Sequence, residues 1–128
     1  MRLKRLPYDL SVCKLASAAD ADPSMDFFFF AKTGTEVSLV CPAASVPEHT
    51  VAREDGWRGF CLEGPLEFSL VGILARASGV LAEGGISIFA LSTYDTDYIL
   101  VKKESFDRAA ELLTRAGYEV ENEISYGR

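Results

Sequence analysis

Several ordinary tools of protein chemistry are scarce in this 128-residue chain, which has one histidine, three cysteines and one tryptophan. His49 lies in the connector Pro47-Glu48-His49-Thr50, with no neighbour to complete a triad or a metal set, and reads as a solvated side chain. Cys13, Cys41 and Cys61 are odd in number, far apart and each set in an apolar stretch. They read as small buried hydrophobes, not as metal or redox residues. No C-x-x-C, no G-x-G-x-x-G and no Gly-Lys-Ser/Thr loop occurs. That removes the common metal, dinucleotide and phosphate motifs and leaves no cofactor to expect.

Positive charge is short as well. Thirteen Lys and Arg face 19 Asp and Glu, a net charge of −6, which disfavours nucleic acid and anionic membranes as partners. The basic cluster Arg2, Lys4, Arg5 alternates with Leu3 and Leu6 and reads as one face of a short strand. Long apolar runs are missing too. The densest, Phe27 to Ala31, is a strand's worth and cannot cross a bilayer. The N-terminal stretch has no signal-peptide apolar region, so the expectation is a cytoplasmic protein. The length suits one compact domain or two small ones, with a core that needs no disulfides.

What is present falls into two halves, 1–56 and 57–128. In the first, Leu10 to Leu15 follows a Pro7-Tyr8-Asp9 turn, and Phe27 to Thr33 and Glu36 to Cys41 flank Gly34 as a hairpin. Ala16 to Ser24 is a loop or a single helical turn, and Pro42 to Gly56 a connector. In the second half, Trp57 to Glu63 is strand-like, and Ser69 to Glu83 has helical spacing through Leu70, Ile73, Leu74, Ala77, Val80 and Leu81. Ile86 to Ser92 and Asp97 to Lys102 are strands around Thr93-Tyr94-Asp95-Thr96. Ser105 is placed to cap a second helix that ends at Gly117, and a strand from Tyr118 to about Glu123 closes the order.

Strand, helix, strand, strand, helix, strand is the split β-α-β pattern of ferredoxin-like α+β folds, with both helices on one face of a four-stranded antiparallel sheet. In the strand Ile86 to Ser92, taken as central, Ile86, Ile88 and Ala90 alternate with Phe89 and Leu91. Both faces then need cover, from the N-terminal strands or from a second copy of the chain. Gly72 and Gly79 fall inside the first helix, at a cost of about 0.8–1 kcal/mol each relative to Ala. Either a neighbour or a ligand approaches the helix backbone closely there, or the helix tolerates two weak spots.

Two segments have the chemistry of a receptor. Gly64-Pro65-Leu66-Glu67-Phe68-Ser69 joins a strand to a helix start, whose unpartnered N–H groups suit a small carboxylate; a plain, capped connection is the alternative. The second is Ser92-Thr93-Tyr94-Asp95-Thr96-Asp97-Tyr98, in which Asp95 serves the turn and Asp97 begins a strand on the face of Ile99 and Val101, where a carboxylate suits an incoming ammonium group. The alternative is an Asp that hydrogen-bonds its own turn. Together the two segments would read both ends of an amino-acid zwitterion.

The run GPLEFSLVGILARASGVLAEGGISIFALSTYDTDYILVKKESFDRAAELLTRAGYEV resembles the ACT domain, and ISIFALSTYDTDYILV is its most specific part. The N-terminal LSVCKL, FFFFAKTGTEVSLVCP and WRGFCLEGP fit small stand-alone proteins with two ACT-like units, and the chain is similar to the cytosolic arginine sensors. The resemblance implies a ferredoxin-like ACT domain at 57–128, with a degenerate, mostly β ACT-like unit at 1–56. It implies a non-catalytic regulatory protein that binds an amino acid where ACT-like units meet, and that forms a homodimer. The implied site is the loop Gly64 to Ser69, Thr96 and Asp97, and Ser38 and Leu39 from the neighbouring unit. The first unit departs from the pattern, since Leu15 to Phe27 has no room for a full helix. Two rivals follow: a subunit that docks an enzyme or transporter without a ligand, and an enzyme using Asp95 and Asp97 as acid and base.

Overall fold

The computed structural model describes residues 2–63 and 72–121. In chain order these form β1 (Arg2–Arg5), β2 (Leu10–Leu15), β3 (Phe29–Lys32), β4 (Val37–Pro42), β5 (Ala52–Leu62), α1 (Ile73–Glu83), β6 (Ile88–Ser92), β7 (Asp97–Lys102), α2 (Phe106–Arg115) and β8 (Glu119–Glu121). Contacts gather them into two compact units, 2–7 with 58–63 and 72–121, and 8–57.

The larger unit contains the expected strand-helix-strand-strand-helix-strand order, β5 to β8, and is a ferredoxin-like α+β fold. Among the described residues its sheet has five strands and not the four expected, in the order β8-β1-β5-β7-β6. The extra one is β1, antiparallel to β5 (Leu3 opposite Leu62) and parallel to β8 (Leu3 opposite Val120). Residues placed by the sequence reading in the 1–56 unit therefore pair here. The alternation that suggested a strand supplies the reason: Leu3 and Leu6 are fully buried, while Arg2 and Lys4 stay out among carboxylates. Leu6 N–H donates to Gly59 O at 2.9 Å, and the close approach requires that glycine. A Cβ on Gly59 would stand 2.6 Å from Leu100 Cδ2 and 2.9 Å from Leu6 Cδ1.

Both helices bury apolar stripes in the same core. Ala77 and Leu81 of α1 and Phe106, Ala109, Ala110 and Leu113 of α2 meet Leu3, Phe60, Leu62, Ile99 and Val101. Each large side chain here contributes about 1.5–3 kcal/mol by leaving water. Phe60 and Phe106 stack at 4.8 Å between ring centroids, and the Arg58 guanidinium lies 4.6 Å from the centre of the Phe106 ring.

Three local expectations are corrected. The helix α1 starts at Ile73 with Gly72 as its N-cap, at φ +78°, and not as an interior glycine; the expected start at Ser69 lies outside the described residues. At Gly79, inside α1, the close-approach reading gives way to its alternative, the tolerated weak spot: a Cβ there would meet nothing within 4 Å among the described residues, and a close approach falls instead at Gly84, against Leu112. Ser105 precedes α2 without a side-chain cap bond, because a 3-10 turn, Lys103–Ser105, already carries the backbone into the helix. A fourth correction concerns β6, which is an edge strand paired to β7 among the described residues and not a central one. Its Ile88, Phe89 and Leu91 are half-buried, so neither face is fully covered.

The smaller unit is mostly β. Its strand order is β3-β4-β2-β5, antiparallel, over a core of Cys13, Leu15, Val37, Leu39 and Cys41. Two 3-10 turns, Ala18–Asp20 and Ala43–Ser45, complete it. All three cysteines are free and buried. The connector expected up to Gly56 ends earlier, since β5 begins at Ala52. The strand passes through Gly56, at φ +84°, by way of a register shift between Leu10 and Val12 of β2. That is a β-bulge with glycine in the left-handed position.

Candidate functional site

Asp97 owes its place to a four-residue turn. Thr93 N–H donates to Thr96 O at 2.8 Å, and Thr93 Oγ1 donates to the same oxygen at 3.1 Å. Asp97 is thereby the first residue of β7, directly opposite Ser92, the last of β6. Ser92 Oγ donates to Asp97 Oδ1 at 2.6 Å, which fixes the carboxylate's orientation. The residue is half-buried, and no basic side chain pairs with it among the described residues. The turn bond weighed in the sequence is thus present, made by Ser92, and it leaves the carboxylate without a counter-charge.

Thr96 ties this corner to the next strand. It is buried, at 9% exposure, and its Oγ1 donates to Leu62 O, the last carbonyl of β5. Cys61, one residue back, is buried beside Thr96 and Tyr98, and burial pushes its thiol pKa up. The β6–β7 turn and the exit of β5 therefore share one end of the sheet. The N–H groups of Ile73, Leu74 and Ala75 precede the first intrahelical bond, Arg76 N–H to Gly72 O at 2.8 Å, and Gly72 offers no side chain to cap them.

Gly64, Pro65, Leu66, Glu67, Phe68 and Ser69, the expected carboxylate receptor, lie outside the described residues. Ser38 and Leu39 are on β4, in the smaller unit. Leu39 is fully buried, between Cys13 of β2 and Phe30 of β3. Ser38 Oγ donates to Glu36 Oε1 at 2.8 Å. Thr96 and Asp97 are neighbours at the start of β7 in the larger unit, and Ser38 and Leu39 are neighbours on β4 in the smaller one. The sequence reading places Ser92 in the candidate segment 92–98 without giving it a role of its own. The signal was present, because two polar residues flanking a four-residue turn must face each other across the hairpin.

His49 is exposed, and among the described residues no three of His, Cys, Asp and Glu gather as a metal-binding set. Among the described residues no helix is long and apolar enough to cross a membrane.

Comparison with known proteins gives a consistent answer. A family model described as the ACT domain matches residues 52–115. The human cytosolic arginine sensor for mTORC1 subunit 1 is 30% identical over 116 residues, which cover 84% of this chain and 35% of the sensor. The chain thus spans about a third of the length of the curated relatives it matches. A crystal structure of a protein from Agrobacterium tumefaciens superposes with a TM-score of 0.83 at 30% identity, covering 99% of this chain and 96% of that one. The aspartate kinase of Clostridium acetobutylicum, described as an allosteric enzyme, shares the fold alone: TM-score 0.65, 12% identity, 89% of this chain and 33% of the kinase.

Proposed function

This chain belongs to the ACT domain family, and on that footing we propose that it is a non-catalytic regulatory protein that binds a free amino acid at the Asp97 corner. One observation carries the reading. Asp97 is a half-buried carboxylate, oriented by Ser92 and free of any basic partner among the described residues. A lone oriented carboxylate at the edge of a packed sheet suits an ammonium group. The α1 start and the loop 64–69 would take the carboxylate of the same ligand. Ser38 and Leu39 enter the site only through the family resemblance, as the neighbouring unit's contribution. The arginine named in the human sensor is the first ligand to try, and a cytoplasmic setting is the one proposed for such a sensor.

A second copy of the chain is the partner we propose for β6. Its outer edge has no strand on it among the described residues, and half-exposed Phe89 and Leu91 sit along it. Unpaired strand edges recruit other strands, and a homodimer would cover this one.

The test is a thermal-shift screen of the proteinogenic amino acids with wild-type protein and Asp97→Ala. At a hundred times its dissociation constant a ligand stabilises by about 2.7 kcal/mol, on the order of 10 °C in Tm for a chain of this size. The variant should lose that shift. A screen in which no amino acid moves the wild-type Tm overturns the reading.

A further inference from the structure

The smaller unit contains a cavity of about 380 Å3 that the amino-acid reading does not use. That volume lies within the range of about 300–1,000 Å3 typical of small-molecule sites. Three segments converge on it: Tyr8 before β2, Ser24 to Phe27 before β3, and Pro42 to Ser45 after β4. Each is held in place. Ala43 N–H donates to Asp9 O at 2.8 Å, joining the third segment to the first. The Tyr8 and Phe27 rings lie 4.6 Å apart at 31°, joining the first to the second, and Phe29 braces Phe27 edge-on at 5.3 Å. Asp22 Oδ1 accepts from Ser24 N–H at 2.9 Å and Ser24 Oγ at 2.6 Å, which closes the turn that presents Met25 and Asp26. The walls are therefore built without a ligand.

Their chemistry has one sign. Asp26 is the charged lining residue, solvent-facing at the rim, with the Tyr8 and Phe27 rings and the Met25 thioether beside it. The segments 7–9, 20–28 and 42–48 hold Asp9, Asp20, Asp22, Asp26 and Glu48, and no lysine or arginine. An anion would find no cationic side chain among the lining residues. A cation would find a carboxylate, aromatic faces that attract positive charge, and a polarisable sulfur. We propose that this cavity is a binding site for a small organic monocation of the ammonium type, with Asp26 as its counter-charge and Tyr8 and Phe27 as its aromatic wall. The proposal does not depend on the Asp97 site.

Choline and its uncharged isostere 3,3-dimethylbutan-1-ol are the probes, titrated into 15N-labelled protein and followed by amide NMR. Choline should shift the amides of residues 24–27 and 43–45 saturably, with the isostere weaker by about tenfold or more. Asp26→Asn, an exposed and nearly isosteric change, should weaken choline by a similar factor. Phe27→Leu, which keeps bulk and removes the π face, should weaken choline severalfold without weakening the alcohol. Equal affinity for the two probes, shifts centred elsewhere, no saturable shift with choline, or an Asp26→Asn variant that binds choline unchanged would each overturn the proposal.

Discussion

Ser92 and Asp97 face each other across the last rung of the β6–β7 hairpin, and the serine hydroxyl donates to the carboxylate at 2.6 Å. The bond fixes which carboxylate oxygen the serine engages. Ser92→Ala should leave the fold in place, since the site is exposed on the Ser92 side, and weaken an ammonium ligand by about three- to tenfold by freeing the carboxylate to rotate. Asp97→Asn should cost much more, because it removes the charge itself. Ligand-dependent Tm curves for the two variants check the order; a serine variant as deficient as the asparagine variant would contradict it.

Two glycines of the larger unit should respond to alanine with opposite signs. At Gly59 the new methyl would enter the space of Leu100 Cδ2 and Leu6 Cδ1, both on fully buried side chains with little freedom to move. Overpacking of this kind costs about 1–3 kcal/mol. At Gly79 a methyl meets open space on an exposed helix position, and the gain in helix propensity is about 0.8–1 kcal/mol. Urea melts of Gly59→Ala and Gly79→Ala should move to either side of wild type.

The strands and helices were legible because their signals are local. Leu10–Leu15 and Asp97–Lys102 came out at the observed bounds, since alternation and turn residues fix such segments within a few positions. The partner of β1 was not legible. Arg2-Leu3-Lys4-Arg5 announces a strand, yet its insertion between β5 and β8 depends on pairings with residues about 60 and 117 positions away. Gly56 misled in the other direction: a glycine among charges reads as connector, whereas here it is the bulge that lets β5 continue. At the site, Asp97 was readable from the turn chemistry that precedes it. The bond from Ser92 to Asp97 and the one from Thr96 to Leu62 O were not, because they follow from hairpin register and sheet order and not from any motif.

The basic face of β1 gives a third prediction. Arg2 reaches Glu63 at 3.2 Å, Glu119 at 3.3 Å and Glu121 at 3.0 Å, and Lys4 reaches Glu63 at 3.7 Å. These carboxylates raise the Arg2 pKa, Glu63 most of all. The charges are exposed, so salt should weaken their mutual attraction. Arg2→Gln should speed amide exchange in β8 at low ionic strength, and the difference from wild type should shrink at 1 M salt, where the screening length is about 3 Å. A difference that salt leaves untouched would assign the effect to packing.

The last prediction concerns the buried thiols of the smaller unit. Burial, with a further push from Cys13, raises the Cys41 pKa from 9.0 to about 11, and burial raises Cys13 as well. A thiol that is harder to ionise folded than unfolded stabilises the fold while protonated. The contribution is complete below the unfolded value and is lost as pH rises through the interval from 9 to about 11, because there the unfolded chain releases a proton that the folded one keeps. Two pKa units correspond to a loss on the order of 2–3 kcal/mol. Urea melts between pH 8 and 11 should show stability falling, and Cys41→Ala should flatten that fall even though the cavity it creates lowers stability at pH 8. The same protonation makes the thiol a poor nucleophile. Iodoacetamide at pH 8 should therefore leave Cys41 unlabelled in the native protein and modify it once urea unfolds the chain; rapid native labelling would show that this strand opens far more readily than its full burial implies.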